Sequence, residues 1–290
     1  MTETDHAVGL VGLGRMGMAM LGRLRAQGFA VRAHDTAPGP RAAAAAAGAE
    51  LPGGVAGCAA PVVLLSLPDA PVVAEVLAAL WPALPAGAVV VDCSTLAPGA
   101  ARGFAAEAAA RGLAYLDAPV SGGPAGAAAG TLAVMLGGDA AAVARAEPVL
   151  AALAQRIVHV GGPGAGQVAK LANNLLVATH LMAAAEALRM ADAAGVAPEA
   201  LLPVINAASG RSAATEVNWP RWITPGGFDS GFAAGLMRKD VRLACALAEA
   251  AGAPLDVCAA AARLWEESAV PDEADFNRAP AALFAARADG

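Results

Sequence analysis

Close to its N-terminus the chain runs a short apolar segment, His6–Val11, straight into Gly12-Leu-Gly-Arg-Met-Gly17. A helical stretch, Met16–Gln27, follows and stops at Gly28. This spacing constrains the fold more than any other feature. Gly12 permits a tight turn, Gly14 lets a pyrophosphate approach the backbone, and Gly17 lets helix and strand pack closely. The helix N-terminus then offers its N–H groups to the phosphates. In a chain with 33 glycines the motif alone says little. Here it sits between a strand and a helix at the start of the chain. The pattern predicts a βαβ unit binding a dinucleotide through Gly12, Leu13, Gly14, Arg15, Met16 and Gly17.

The segment after the first helix agrees. Ala30–His34 reads as a second strand, and Asp35 lies about 20 residues beyond the glycines, where a carboxylate hydrogen-bonds the adenosine ribose. A carboxylate there repels a 2′-phosphate, which favours NAD over NADP, although the nearby Arg32 and Arg41 leave NADP possible. Pro61–Ser66, Val89–Asp92, Ala114–Leu116, Thr131–Leu136 and Ile157–Val160 read as further strands with alanine-rich helices between. Such alternation predicts a parallel sheet covered on both faces. The pattern changes at Gly161-Gly-Pro-Gly-Ala-Gly166. Residues 166–194 contain no Pro and no interior Gly, so they predict one helix roughly 43 Å long at 1.5 Å per residue. Only helices are expected beyond it, near Pro198–Ala208, Leu236–Ala251, Pro254–Ser268 and Ala274–Ala288. The expected class is α/β: a Rossmann-type doubly wound sheet over residues 1–163, then an all-helical substrate and dimerisation domain over 164–290.

The bulk properties narrow the function classes. A chain of 290 residues with 57% hydrophobic and 15% charged residues has the material for two cores. Its net charge of -6 argues against a nucleic-acid partner. The apolar run Leu175–Ala185 is too short to span a bilayer, and Lys170, Asn173, Asn174, Glu186 and Arg189 flank it. No signal peptide is read in the polar first residues, so no membrane partner and a cytoplasmic location are expected. Cys58, Cys93, Cys245 and Cys258 form no CxxC pair, and the histidines are isolated, so no metal site is expected.

The cations are the second informative feature. The chain has 17 arginines but only two lysines, Lys170 and Lys239. An amine can lose its proton near neutral pH when its pKa is depressed, whereas a guanidinium cannot. The two lysines are therefore candidates for acid–base chemistry. Lys170 lies early in the long helix with Asn174 four residues on, so the two side chains share a face. Apolar neighbours Val168, Ala169, Leu171 and Ala172 would lower the lysine pKa if the group is buried. The plain alternative is a lysine snorkelling to solvent. The single tyrosine, Tyr115, has no lysine four residues on, which excludes the short-chain dehydrogenase arrangement, and no Cys/His cluster supports a zinc alcohol dehydrogenase.

Four segments resemble the 3-hydroxyisobutyrate dehydrogenase (β-hydroxyacid dehydrogenase) family in order and spacing. They are Gly9–Gly17, Asp117-Ala-Pro-Val-Ser-Gly-Gly-Pro-Ala-Gly-Ala-Ala-Ala-Gly-Thr-Leu132, Gly164–Asn174, and Gly231-Phe232 followed by Lys239-Asp240. The resemblance covers nearly the whole chain. It implies that Lys170 is the general acid/base and that Asn174 fixes the substrate hydroxyl. It implies that Ser121, Gly122 and Gly123 hold the substrate carboxylate, with three N–H donors and little bulk. Thr95 would sit beside the nicotinamide, Leu67 and Pro68 would line the cofactor ribose, Phe232 would cover the nicotinamide, and Lys239 would close the site from the second domain. Lys239 could instead be an ordinary helix-terminal charge. Asp240 is expected to pair or cap, and Asp117 and Thr131 to shape the loop and strand around them.

The expected reaction is NAD-dependent interconversion of a β-hydroxyacid and its semialdehyde, in a cleft between the domains. Alternatives are a semialdehyde reductase of tartronate, succinic or glyoxylate type, or an imine reductase-like enzyme using NADPH. Lys170 and Asp35 argue against the imine class. A 6-phosphogluconate-type enzyme expects a His-Asn pair where Asn173-Asn174 stands and a longer helical domain. A non-catalytic dinucleotide-binding relative would not need Lys170, Asn174 and the Ser-Gly-Gly loop together. The substrate wall is expected within Ser209–Phe232, where Arg211, Trp219 and Trp222 stand. The apolar helices of residues 166–208 are expected to be covered in a homodimer or homotetramer.

Overall fold

The computed structural model describes residues 7–286. The chain divides between Lys170 and Leu171 into two compact units.

In the first unit, β1 (Ala7–Val11), β2 (Ala30–His34), β3 (Val62–Leu65), β4 (Val89–Asp92) and β5 (Ala114–Asp117) pair in parallel in the order β2-β1-β3-β4-β5. Helices α1 (Arg15–Ala26), α2 (Pro38–Ala46), α3 (Ala70–Leu80) and α4 (Pro98–Ala110) follow the first four strands. Strand residues alternate between two buried layers. Val62 and Leu64 join one apolar cluster, while Val63 and Leu65 join the other. This is the strand composition a sheet covered on both faces requires. Helix starts follow local chemistry: α3 begins where the Asp69 carboxylate accepts the Val72 N–H at 3.0 Å, with Pro71 in the first turn.

The sheet is not wholly parallel, contrary to expectation. After β5, Ala118-Pro119 leads into a short strand that the sequence reading did not anticipate, β6 (Val120–Ser121). Then come α5 (Gly123–Ala129) and β7 (Leu132–Gly137), which runs antiparallel to both β5 and β6. A parallel return needs a crossover of a dozen or more residues, and the segment 122–131 is too short for one. The chain instead doubles back at Gly130, where φ is 72°. Helix α6 (Ala140–Leu153) leads to β8 (Ala154–Gly161), longer than expected and parallel to β7. His6, expected to start the first strand, lies outside the described residues.

The long helix is α7 (Ala165–Ala193), which starts in the first unit and continues into the second. In the second unit Ala178, Leu181, Met182, Ala185 and Leu188 are buried at helical spacing. Around them lie α8 (Pro198–Ala207), α9 (Ala234–Ala250), α10 (Asp256–Glu267) and α11 (Arg278–Ala285). The segment Ala214–Ile223, left unassigned from sequence, winds as a π-helix. Pro220 within it lacks the N–H that a regular α-helix would use. The last helix begins at Arg278 rather than Ala274. The Asp275 carboxylate accepts N–H groups of Ser230 and Asn277, and these bonds shape residues 274–277 into a turn. The expected end at Ala288 lies outside the described residues. Among those residues no helix is long and apolar enough to cross a membrane.

Trp265 anchors this helical core. It is fully buried, donates its indole N–H to the Ala178 carbonyl at 3.1 Å, and stacks on Phe276 with centroids 6.4 Å apart. It therefore ties α10 to α7. Trp265→Ala is predicted to destabilise the protein by about 3–5 kcal/mol, through the cavity left in the helical core. Urea denaturation checks this, and an unchanged midpoint would contradict it.

Candidate active site

The glycine turn builds the first part of the site. Gly12 has φ 95° and donates its N–H to the His34 carbonyl at 2.9 Å, which ties the turn to the end of β2. A Cβ on Gly12 would overlap the Ser66 carbonyl, and one on Gly17 would overlap the Gly12 carbonyl. Gly14 differs: it is exposed, and a Cβ there would meet no atom within 4 Å. The backbone is thus tightly packed on its inner side and clear on its outer side, at the start of α1. That arrangement fits a dinucleotide pyrophosphate. Asp35 is pinned beside it, its carboxylate accepting the Leu13 N–H at 2.7 Å and the Ala37 N–H at 2.8 Å. Arg15 is exposed and Met16 half-buried on the opening turn of α1.

The loops after β3 and β4 are bound to each other. Leu67 donates its N–H to Ser94 Oγ at 2.9 Å, next to exposed Pro68 and half-buried Thr95. Below them sit two carboxylates that end adjacent strands in register, Asp92 and Asp117, both fully buried. Asp92 accepts the Tyr115 hydroxyl at 2.7 Å and the Ser94 N–H at 2.9 Å. Burial pushes its pKa up to about 6. The hydrogen bonds from Ser94 and Tyr115 oppose that rise, and nearby Asp117 adds to it. Asp117 accepts the Gly164 N–H at 2.8 Å and the Gln167 N–H at 2.9 Å, so it clamps the start of α7. Burial raises its pKa too, against these backbone donors.

This clamp places Lys170. The side chain is 7% exposed, and Nζ donates to the Val120 carbonyl at 2.8 Å. The lysine therefore lies in the interior, not snorkelling to solvent. Val120 immediately precedes Ser121-Gly122-Gly123, so the structure brings Lys170 to that loop. Gly122 at φ 120° and Gly123 at φ 64° adopt backbone conformations that residues with a Cβ rarely take. The fold requires glycine at both positions.

In the second unit Asn174, one turn beyond Lys170 on α7, is buried. Its amide is oriented twice. Nδ2 donates to Asp240 Oδ2 at 2.6 Å, and Oδ1 accepts from Asn173 Nδ2 at 3.0 Å. Lys239 Nζ lies 3.8 Å from the other Asp240 oxygen. Phe232 packs edge-on against Phe276 at 5.3 Å and exchanges backbone contact through the Phe276 N–H. Asp240 pairs, as the sequence reading expected.

Sequence reading passed over Gln167 and the Asp92–Tyr115 pair. Gln167 is fully buried and bridges the Ser94 carbonyl and the Leu96 N–H. The available signal was an aspartate ending each of two otherwise apolar strands, Val89–Asp92 and Ala114–Asp117, and the chain's one tyrosine within the second. Among the described residues no group of three or more His, Cys, Asp and Glu side chains is placed to hold a metal ion.

Comparison with known proteins matches two consecutive segments of the chain. Residues 7–161 match the NAD binding domain of 6-phosphogluconate dehydrogenase, and residues 164–281 match the NAD-binding domain of NADP-dependent 3-hydroxyisobutyrate dehydrogenase. A 2-(hydroxymethyl)glutarate dehydrogenase of Eubacterium barkeri is 37% identical, over 91% of this chain and 89% of that protein. A probable 3-hydroxyisobutyrate dehydrogenase of Mycobacterium tuberculosis is 39% identical, over 93% of this chain and 94% of that protein. A solved structure of a Mycobacterium tuberculosis 3-hydroxyisobutyrate dehydrogenase with L-serine superposes with a TM-score of 0.90 at 36% identity, covering 96% of this chain and 99% of that one.

The raised pKa of Asp92 has a measurable consequence. The folded state holds this proton more tightly than the unfolded chain, whose carboxylate titrates near 3.8. Stability from this group is therefore full below that value and is lost as pH rises towards about 6, by roughly 3 kcal/mol at ~1.4 kcal/mol per pKa unit. Asp92→Asn removes the titration, so its stability relative to wild type is predicted to improve between pH 4 and 6.5. A wild-type to variant difference independent of pH, in urea melts, would contradict this.

Proposed function

The chain belongs to the 3-hydroxyisobutyrate dehydrogenase (β-hydroxyacid dehydrogenase) family of NAD(P)-dependent oxidoreductases, and from that membership we propose that it interconverts a β-hydroxyacid and its semialdehyde with Lys170 as general acid/base. One observation carries the role of Lys170. The buried Lys170 Nζ sits 2.8 Å from the Val120 carbonyl, one residue from the Ser121-Gly122-Gly123 loop. Nothing about charge or solubility calls for a lysine there in a chain with 17 arginines and only one other lysine, Lys239.

In this reading the substrate carboxylate docks on the Ser121 hydroxyl and the N–H groups of the Ser-Gly-Gly loop. Asn174 donates to the substrate oxygen from the amide nitrogen that Asp240 holds, since its Oδ1 is already engaged by Asn173. Lys170, as the neutral amine, takes the hydroxyl proton during oxidation and returns it during reduction. The dinucleotide, when bound, supplies the hydride acceptor. Gly12, Leu13, Gly14, Arg15, Met16 and Gly17 hold its phosphates, Leu67 and Pro68 line the cofactor ribose, Thr95 lies beside the nicotinamide, Phe232 covers it, and Lys239 closes the site. Pinned Asp35 presents a fixed negative charge to the adenosine ribose, which supports NAD over NADP.

Lys170→Ala is predicted to cut turnover by about 10²- to 10⁴-fold. NAD affinity, by fluorescence titration, should stay within a few-fold of wild type. Retained turnover with lost NAD binding would overturn the assignment.

The assembly is read as a homodimer or homotetramer. Leu176, Met190 and Val204 stand exposed on α7 and α8 and need cover. Light scattering is predicted to give a multiple of the chain mass, and a monomer would contradict it.

A further inference from the structure

We propose that Gln167 is a positioning residue that sets the Thr95 loop against the helix turn carrying Lys170. The inference rests on the reading above, in which Thr95 lies beside the nicotinamide and Lys170 moves the proton. Three observations carry it. Gln167 is fully buried. Its carboxamide grips both sides of Thr95: Nε2 donates to the Ser94 carbonyl at 2.8 Å, and Oε1 accepts the Leu96 N–H at 2.9 Å. Its own N–H is held by Asp117 at 2.9 Å, at the start of the helix that delivers Lys170 three residues later.

A carboxamide suits this position because it pairs with a backbone carbonyl and a backbone N–H at once, as a peptide group does. Neither a carboxylate nor a thioether can do both. Breaking the grip would orphan a buried carbonyl and a buried N–H and release the Thr95 backbone. Hydride and proton leave neighbouring atoms of one substrate, so the groups receiving them must hold a fixed spacing. A misplacement near 1 Å costs about 10²-fold in rate. Gln167 supplies that spacing without touching the reacting atoms.

Two variants test the assignment. Gln167→Met keeps the volume and removes both hydrogen bonds. It is expected to lower kcat about 10²-fold, with a smaller change in KM. The deuterium isotope effect from substrate labelled on the carbinol carbon should rise, and the Leu96 amide should exchange faster in protein without cofactor. Gln167→Glu supplies a pH signature. Its neutral carboxyl restores both bonds, while its carboxylate repels the Ser94 carbonyl. The ratio of its kcat to wild type should rise as pH falls, and Leu96 exchange, corrected for intrinsic rate, should slow in parallel. A merely structural role would change only the folded fraction, and with kcat counted per folded molecule it would leave the isotope effect and the ratio unchanged. Wild-type kcat in Gln167→Met, or a pH-independent ratio in Gln167→Glu, would overturn the assignment of Gln167 alone. A wild type silent on every β-hydroxyacid would overturn the functional reading beneath it, and this assignment with it.

Discussion

The fully buried carboxylate of Asp117 is the interaction on which the site depends. It ends β5, and it accepts the N–H groups of Gly164 and Gln167 at the start of α7. A negative group at a helix N-terminus satisfies orphan donors and complements the helix dipole. Here it also fixes where a long helix leaves the sheet. Glycine makes the approach possible: a Cβ on Gly166 would overlap the Met135 carbonyl, and one on Gly137 would press on the Asp117 carboxylate. From that fixed start, helix geometry alone carries Lys170 to the Val120 carbonyl.

Burying such a group has a cost. Desolvation raises the pKa of Asp117, and its neighbour Asp92 is raised to about 6. Two carboxylates ending adjacent strands disfavour each other's ionisation. The fold offsets this with donors: Tyr115 and Ser94 to Asp92, and the α7 backbone to Asp117. The same donors tie the β4 loop to the β5 strand and the helix. A polar layer that is expensive in isolation thereby becomes the frame between the dinucleotide turn and the lysine.

Much of this was legible in the residues, for physical reasons. Strand–turn–helix punctuation by Gly12, Gly14 and Gly17 is local, so the first βαβ unit could be read directly, and Ala30–His34 and Val89–Asp92 have the same bounds in the structure. The scarcity of lysine singled out Lys170, whose burial the structure then provides. What escaped was non-local. β6 is two residues long and exists only by pairing with β7. The antiparallel return follows from loop length, not from side-chain pattern. Gln167 reads as an ordinary helical glutamine until the Thr95 loop is folded over it. The π-helix around Trp219 and Pro220 likewise depends on tertiary packing, since hydrophobic periodicity assumes a regular helix.

The central claim is that a buried lysine beside a Ser-Gly-Gly loop serves hydride transfer from a β-hydroxyacid or, in reverse, to its semialdehyde. The most direct measurement is NADH formation at 340 nm across a panel of β-hydroxyacids, with NAD and NADP run in parallel. The account predicts one clearly preferred acid, turned over faster with NAD. Silence across the panel from a protein that still binds NAD in titration would contradict it.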